Sequence, residues 1–149
     1  MEIRKDFKEL LESLNSHEVE YVVIGAFALA WHGHPRYTGD LDLYVHPEPR
    51  NAVRIMAALA DFGFGSLGLS EDDFLAPEQV IQLGVAPVRV DILTSISGVD
   101  WDSAWAGSER GSYAETPVRY LGKAEYRLNK LAMGRLRDLS DIEAIGEAD

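Results

Sequence analysis

The chain has 149 residues, of which 46% are hydrophobic and none is cysteine. This length is enough for one hydrophobic core and short for two, so we expect residues 1–149 to form a single domain. The lack of cysteine excludes disulfides, thiolate metal sites and cysteine nucleophiles, and the formal charge of -11 disfavours a broad surface for binding nucleic acid.

The apolar stretches of the chain are short. Phe27 to Trp31, for example, falls well below the roughly 20 residues of a membrane-spanning helix, and the N-terminal segment is charged rather than signal-like. We therefore expect a soluble, unprocessed protein with no membrane partner, and the absence of cysteine fits a cytoplasmic location.

The first part of the chain predicts a helix, a strand, a turn, a helix and a second strand. Ile3 to Leu14 has apolar residues at helical spacing. Val19 to Ile24 is a short β-branched and aromatic run, Gly25 suits a tight turn, and Ala26 to Trp31 has the composition of a helix. After a segment of loop-forming residues, Leu41 to Val45 predicts a strand.

The middle of the chain predicts one helix and a hairpin. Two prolines open a helix from about Arg50 to Phe62. Gly63 to Pro77 shows no clear period and predicts a loop or an irregular helix. Val80 to Val85 and Val88 to Leu93 are apolar runs separated by two residues, which favours an antiparallel pair.

The C-terminal third predicts a small hairpin and two helices. Tyr113 to Thr116 and Val118 to Leu121 suit short strands, whereas Lys123 to Met133 and Leu136 to Ile145 have helical periodicity. Ser140-Asp141 is expected to cap or begin the last helical segment. Strands and helices are intermixed, so we predict an α/β (α+β) fold in which helices flank a mixed β-sheet.

Three aspartates carry the strongest chemical signal. Residues two apart in a strand face the same way, so Asp40 and Asp42 share one face while Leu41 takes the other. The same alternation places Arg89 and Asp91 on one side of a later strand. Grouped carboxylates are hard oxygen ligands for a divalent cation whose shell is completed by substrate phosphates. A third carboxylate either completes such a site or accepts a proton from an attacking hydroxyl.

Gly25 adds a second signal at the point where a strand enters a helix. A residue without Cβ lets the backbone approach a ligand, and the N–H groups that begin a helix bind phosphate. Taken alone, Gly25 indicates a turn required by packing, and an Asp-x-Asp indicates a solvated strand end. The combination, in this order, favours a site for metal and nucleotide.

These residues resemble the DNA polymerase beta-like nucleotidyltransferase superfamily, and in particular its small bacterial and archaeal members, some of which are toxin–antitoxin components. The similar positions are Ile24 to Leu29, His32-Gly33, Arg36, Thr38, Asp40-Leu41-Asp42, Asp91, Lys130, Gly134-Arg135 and Asp138 to Glu143. The resemblance implies that Asp40 and Asp42 bind Mg²⁺ or Mn²⁺ and that Asp91 is a further ligand or assists the acceptor hydroxyl. We assign the nucleotide contacts to Gly25, Ala26, Arg36 and Thr38.

The implied reaction transfers a nucleoside monophosphate from an NTP, for which we expect ATP, to a hydroxyl of a tRNA, a protein or a small molecule, with release of pyrophosphate. A partner protein of a toxin–antitoxin pair and a second copy of the chain are candidate partners. Ala26 stands where the family usually has Gly or Ser, so only backbone N–H groups are left for the phosphate. This departure motivates an alternative: a noncatalytic nucleotide-binding or antitoxin-type regulatory module on the same fold.

Other residues have two interpretations each. His32 and His34 are a candidate zinc pair, although packing of the loop or a nucleotide contact is favoured. Arg36 either binds phosphate or neutralises Asp40. Trp101 and Trp105 are spaced for one helical turn and serve as core anchors or stack on a base. A further set of basic residues either forms a local basic patch or lies on ordinary solvated helix faces. These residues are Arg36, Arg89, Arg119, Lys123, Arg127, Lys130, Arg135 and Arg137.

Overall fold

The computed structural model describes residues 4–34, 39–65, 67–85 and 88–146. Within these ranges the helices are α1 (Lys5–Ser16), α2 (Gly25–Trp31), α3 (Pro49–Leu59), α4 (Trp101–Ala106), α5 (Lys123–Met133) and α6 (Leu136–Gly146). The strands are β1 (Tyr21–Ile24), β2 (Asp40–Val45), β3 (Val80–Val85), β4 (Val88–Leu93), β5 (Glu109–Tyr113) and β6 (Thr116–Tyr120). A π-helical turn (Ala60–Phe64) follows α3, and a 3₁₀ turn (Glu71–Phe74) precedes β3.

The strands form one mixed sheet in the order β3-β4-β2-β1-β6-β5. The pairs β2 with β4 and β1 with β6 are parallel, and the other neighbours are antiparallel. The predicted α/β fold with helices flanking a mixed sheet is therefore confirmed. Within the described ranges, no helix is long and apolar enough to cross a membrane.

The core lies around the central strands. All four residues of β1 are buried, as are Leu41 and Leu43 of β2. The apolar stripe of α1, which has the helical spacing expected from the sequence, is buried and packs against α3 and β6. An edge-to-face contact of 5.8 Å joins Phe7 of α1 to Phe27 of α2. This packing fixes β1, which leads into Gly25, and β2, which carries Asp40 and Asp42.

The predicted segments agree with the observed elements except at some ends. The predicted start of α1 at Ile3 lies outside the described residues. The predicted strand Tyr113 to Thr116 is wrong: β5 is Glu109–Tyr113, and Ala114 and Glu115 form the turn to β6. The first four residues of β5 are mostly exposed and carry no apolar alternation, so periodicity could not locate this strand. The last helix begins at Leu136, and Asp141 is buried within it. The expectation that Ser140-Asp141 caps or begins this helix is therefore wrong.

Candidate active site

Two aspartates on neighbouring strands lie side by side in the sheet. The parallel register of β2 and β4 pairs Asp42 with Asp91. On the other side of β2, Ile24 at the end of β1 pairs with Asp42. Since paired strands lie about 4.8 Å apart, the register brings two carboxylates together beside the start of α2.

Asp40 shares the face of β2 that carries Asp42. Both aspartates are partly exposed, whereas Leu41 and Leu43 are buried. This alternation follows from the two-residue repeat of a strand. Strand geometry and register together therefore collect three carboxylates on a single face of the sheet.

Arg89 lies next to these acids and holds Asp91. Its Nε donates a hydrogen bond to Oδ1 of Asp91 at 3.1 Å, and its Nη2 donates to Oδ2 at 3.0 Å. The same Nε lies 3.9 Å from Oδ2 of Asp40. Such a bidentate contact fixes the orientation of a carboxylate. A metal ion that binds Asp91 must share or displace the guanidinium.

Asp42 is the most perturbed acid of the group. Its pKa is raised from 3.8 to about 6, first by burial and then by the charges of Asp91 and Asp40, against an opposing effect of Lys130 and Arg89. The ionised carboxylate is thus disfavoured where the protein alone must accommodate it. A divalent cation would relieve this repulsion.

The donor set suits magnesium or manganese. Three carboxylates supply hard oxygens, and nearly all the rest of the Mg²⁺ shell is usually provided by water and substrate phosphate. As a trio, the three aspartates do not have donor atoms within 4.8 Å of one another among the described residues, and Asp91 is held by Arg89.

Gly25 packs directly on Asp42. Its φ of +68° is the left-handed conformation that side chains rarely adopt, and a Cβ built on it would collide with Oδ2 of Asp42. Glycine is required here for both reasons. The turn from β1 into α2 thereby leaves room for the carboxylate and brings the backbone of Gly25 and Ala26 to the site.

We expect Gly25→Ala to displace Asp42 and to abolish Mn²⁺ binding measured by calorimetry. Gly68 is a matched control, because its φ is +75° and a Cβ there would meet nothing within 4 Å. Backbone strain alone should lower the free energy of unfolding of Gly68→Ala by about 1–2 kcal/mol. Gly25→Ala should lower this free energy by more, because a clash is added to the strain. Urea denaturation measures both losses. Equal losses in the two variants and retained Mn²⁺ binding would contradict this role of Gly25.

A cavity of about 390 Å³ opens over the aspartates. Its second wall is α5, which contributes residues at helical spacing: Tyr126, Asn129, Lys130 and Met133. From the sequence, Lys130 was one of the positions in the family resemblance and a member of a candidate basic patch or solvated face, and it was not assigned to the site. One sequence feature could have identified it. Asn129 and Lys130 lie on the buried face of α5, where apolar residues are expected.

Lys130 faces this cavity from a buried ionic network. Its Nζ lies 3.5 Å from Oδ1 of Asp138, whose side chain is 0% exposed. Arg135 donates to the same carboxylate through Nε at 2.6 Å and Nη2 at 3.2 Å. The hydrogen bond from Arg135 and the charge of Lys130 hold the pKa of Asp138 below its usual value. The network places two cations in the lining of the same cavity as the aspartates.

Two further contacts shape the cavity wall. The hydroxyl of Tyr126 donates to Oδ2 of Asp141 at 3.5 Å, and both residues line the cavity. Nδ2 of Asn129 donates to the carbonyl oxygen of Ser97 at 2.9 Å. The second bond ties the loop after β4 to α5, so that the cavity is enclosed between the sheet and the C-terminal helices.

The remaining predicted residues have different fates. Gly25 and Ala26 line the cavity, whereas Arg36 and Thr38 lie outside the described residues. Nε2 of His32 contacts the carbonyl oxygen of Leu121 at 2.7 Å. His32 therefore has the packing role that was favoured over zinc binding.

The tryptophan pair lies away from the aspartates. Trp101 and Trp105 are in α4, as their spacing predicted, and their rings stack with centroids 5.6 Å apart. Trp101 is buried, and the guanidinium of Arg119 lies 4.3 Å from the Trp105 ring centroid. Neither ring lines the cavity, so the core interpretation of the pair is the one that fits.

Two solved structures share the fold of this chain. A proposed nucleotidyltransferase from Thermotoga maritima superposes with a TM-score of 0.61 at 17% sequence identity, over 99% of this chain and 97% of its own. An antigenic nucleotidyltransferase-like protein from Paracoccidioides brasiliensis superposes with a TM-score of 0.54 at 16% identity, over 98% of this chain and 77% of its own. No family model and no curated protein matches the chain in sequence. The chain therefore has a nucleotidyltransferase-like fold.

Proposed function

We propose that this chain transfers a nucleoside monophosphate from an NTP to a hydroxyl acceptor and releases pyrophosphate. The observation that carries the proposal is the pairing of Asp42 with Asp91 in adjacent strands, with Asp40 on the same face, inside a cavity whose other wall holds Lys130. The nucleotidyltransferase-like fold supports it. We assign ATP as the nucleotide and Mg²⁺ or Mn²⁺ as the ion.

In this proposal the acidic wall holds the ion. Asp40 and Asp42 are its ligands, and Asp91 is either a third ligand or a base. When bound, the ion neutralises phosphate charge and activates the α-phosphorus for attack. The backbone of Gly25 and Ala26, together with Arg36 and Thr38, is assigned to the nucleotide.

The basic wall supports the leaving group. Lys130 and Arg135 face the aspartates across the cavity, and cations in this position stabilise negative charge that develops on pyrophosphate. Asp138 orients both side chains. An NTP in this reaction needs carboxylates that hold the metal bound to its phosphate and cations that stabilise the leaving pyrophosphate. The acidic and basic walls supply these two groups.

The chemical step is an in-line displacement. The acceptor oxygen forms a bond to the α-phosphorus, and the bond from this phosphorus to the bridging oxygen breaks. The leaving pyrophosphate keeps the electron pair of the broken bond. Asp91 accepts the proton of the acceptor hydroxyl when it acts as the base, and its contact with Arg89 sets the direction of the carboxylate.

A second function is favoured by one observation. Ala26 contributes no hydroxyl at the turn that lines the cavity, so the phosphate contacts there are limited to backbone N–H groups. A noncatalytic nucleotide-binding or antitoxin-type module needs no more than this. Such a module would bind ATP and Mg²⁺ with the same aspartates and would release no pyrophosphate.

One experiment separates the two functions. The full chain is incubated with Mg²⁺ and each labelled NTP in the presence of tRNA, protein extract or small-molecule hydroxyl compounds. Catalysis predicts pyrophosphate release and a labelled acceptor that depend on the ion. Saturable nucleotide binding by calorimetry, without pyrophosphate from any NTP and acceptor tested, would support the regulatory module instead.

We expect Arg89→Gln to tighten the binding of Mn²⁺ to the nucleotide-free protein. The guanidinium competes with the ion for Asp91, and a partly exposed ion pair contributes up to about 1 kcal/mol. The dissociation constant from calorimetry should therefore fall by roughly two- to fivefold. Arg54→Gln removes the same charge from a helix remote from β4 and should leave the constant unchanged. Weaker Mn²⁺ binding in Arg89→Gln would argue against competition at Asp91.

A further inference from the structure

A second cluster of possible metal ligands lies at the opposite end of β2. Glu20, His46 and Glu48 each offer one donor atom, and these atoms all lie within 4.8 Å of one another. Nδ1 of His46 is 2.7 Å from Oε1 of Glu20. The donor set of one imidazole and two carboxylates differs from the all-carboxylate set of the aspartate site.

A buried asparagine holds the three ligand-bearing segments together. Oδ1 of Asn51 accepts a hydrogen bond from the backbone N–H of Glu20 at 2.7 Å. Its Nδ2 donates to the carbonyl oxygens of Glu20 at 3.0 Å and of His46 at 2.9 Å. The backbone N–H of Asn51 donates to Oε1 of Glu48 at 2.6 Å. The relative positions of the ligands are thus set by one side chain that is only 1% exposed.

The imidazole is also fixed in orientation. The ring of His46 stacks on Trp101 with centroids 5.1 Å apart and an angle of 7° between the planes. The side chain of His46 is 32% exposed and that of Glu20 is 40% exposed, so an ion has access from solvent. A ligand whose ring plane and backbone are both held loses little freedom when it binds.

The charge of the cluster favours a cation. Two carboxylates beside one imidazole remain net negative even when the imidazole is protonated. Glu48 uses one oxygen to cap α3, which leaves the other for an ion. Zinc takes histidine nitrogen and glutamate oxygen at about 2.0–2.2 Å, commonly from three protein ligands and one water.

The cluster is separate from the aspartate site. In the register of β1 with β2, Tyr21 pairs with Val45 and Ile24 pairs with Asp42. Glu20 and His46 continue this ladder beyond its far end, where the N–H of His46 donates to the carbonyl oxygen of Glu20 at 3.2 Å. His46 is four positions after Asp42 along the strand, which is about 13 Å. The two sites do not share ligands.

We propose that Glu20, His46 and Glu48 form a zinc site that joins the β1–β2 ladder to the start of α3. Zinc binds through Nδ1 of His46 and one oxygen from each glutamate, with water in the fourth position. The ion replaces the contact between His46 and Glu20, and any proton on Nδ1 passes to solvent. The site stands independently of nucleotidyl transfer.

The test uses zinc alone with full-length Asp42→Asn, so that the aspartate site does not contribute. We expect one Zn²⁺ per chain by calorimetry, a higher unfolding midpoint on adding zinc, and zinc-dependent shifts of the ring nitrogens of His46 in NMR spectra. Glu48→Gln keeps an oxygen to cap α3 and should weaken zinc binding at least tenfold, and His46→Gln should abolish it.

His17→Gln is the matched control. His17 also contacts a carboxylate, that of Asp61 at 2.5 Å, yet it is not part of the trio. This variant should bind zinc as the parent does. Absence of zinc binding by Asp42→Asn would overturn the proposal. So would zinc binding that persists unchanged when His46→Gln or Glu48→Gln is added, together with no zinc-dependent shift of the His46 ring in Asp42→Asn.

Discussion

Asp42→Asn should abolish nucleotidyl transfer while making the metal-free protein more stable. The variant loses the proposed ion ligand that lies beside both Asp40 and Asp91. Electrostatic stabilisation by a bound ion is worth several kcal/mol in the transition state, so the rate of pyrophosphate release should fall by at least about 10³-fold. The NTP assay with Mg²⁺ measures this loss.

The stability gain has a defined pH dependence. The pKa of Asp42 is raised from 3.8 to about 6, so ionisation of this carboxyl destabilises the folded state progressively as the pH rises through that range. In EDTA, Asp42→Asn should exceed the wild type in free energy of unfolding by about 1–3 kcal/mol at pH 7. The gain should shrink as the pH falls through that range and vanish below about pH 3, where the carboxyl is protonated in both states.

A control isolates the burial of Asp42. Asp102→Asn removes an exposed carboxylate of α4 and should change the free energy of unfolding by less than about 0.5 kcal/mol. Retained transfer by Asp42→Asn would contradict the assignment of the acidic wall. Lost transfer together with a destabilised protein at pH 7 would instead show that this carboxylate serves the fold.

Asp138→Asn should destabilise the protein and impair the basic wall. Asp138 is the buried acceptor between Lys130 and Arg135, and its loss leaves Lys130 as a buried cation without its paired carboxylate on α6. Breaking a buried ion pair on one side costs roughly 3–5 kcal/mol. Because Arg135 is about half exposed and solvates readily, we expect the lower value, about 3 kcal/mol at pH 7, by urea denaturation.

The pH dependence is opposite in sign to that of Asp42. The pKa of Asp138 is lowered by its bond to Arg135 and by the charge of Lys130. Its contribution to stability is therefore present above the ordinary carboxyl pKa and is lost as the pH falls through the lowered value. The difference between Asp138→Asn and the wild type should shrink below pH 4. Equal stability at pH 7 would refute the network.

Measuring KM for the NTP distinguishes a role of Asp138 in positioning the cations from a role in stability alone. If Asp138 positions Lys130 and Arg135, Asp138→Asn should raise KM for the NTP at a temperature where the variant is fully folded. Lys130→Met, which removes the cation itself, should show the same change while Asp138 keeps its hydrogen bonds from Arg135. An unchanged KM in both variants would place the network outside substrate binding.

Local patterns determined much of the fold. The alternation at Asp40 to Leu43 predicted which side chains share a face, because successive residues of any strand point to opposite sides. The helical period of Lys123 to Met133 predicted the bounds of α5 because its apolar residues recur along one face. Where such periodicity is absent, as in Glu109 to Ser112 of β5, the element was missed at its start.

The grouping of the site was decided by long-range pairing. Nothing in the residues near Asp91 says that β4 is parallel to β2 or that Asp91 is level with Asp42. Register depends on how the apolar faces of whole strands pack. The same holds for Lys130, which is far from Asp42 in the chain and reaches the cavity because α5 packs beside the sheet.

By itself, the sequence determined an intermixed α/β chain, a pair of carboxylates on one face of a strand and a glycine turn preceding a helix, because these depend on short repeats and single-residue backbone preferences. Only the tertiary structure decided that Asp91 joins the pair, that Arg89 holds it, and that Lys130 closes the cavity from a buried network. It also brought Glu20, His46 and Glu48 together through Asn51. These contacts join residues far apart in the chain, and their geometry is set by the packing of the whole sheet and its helices.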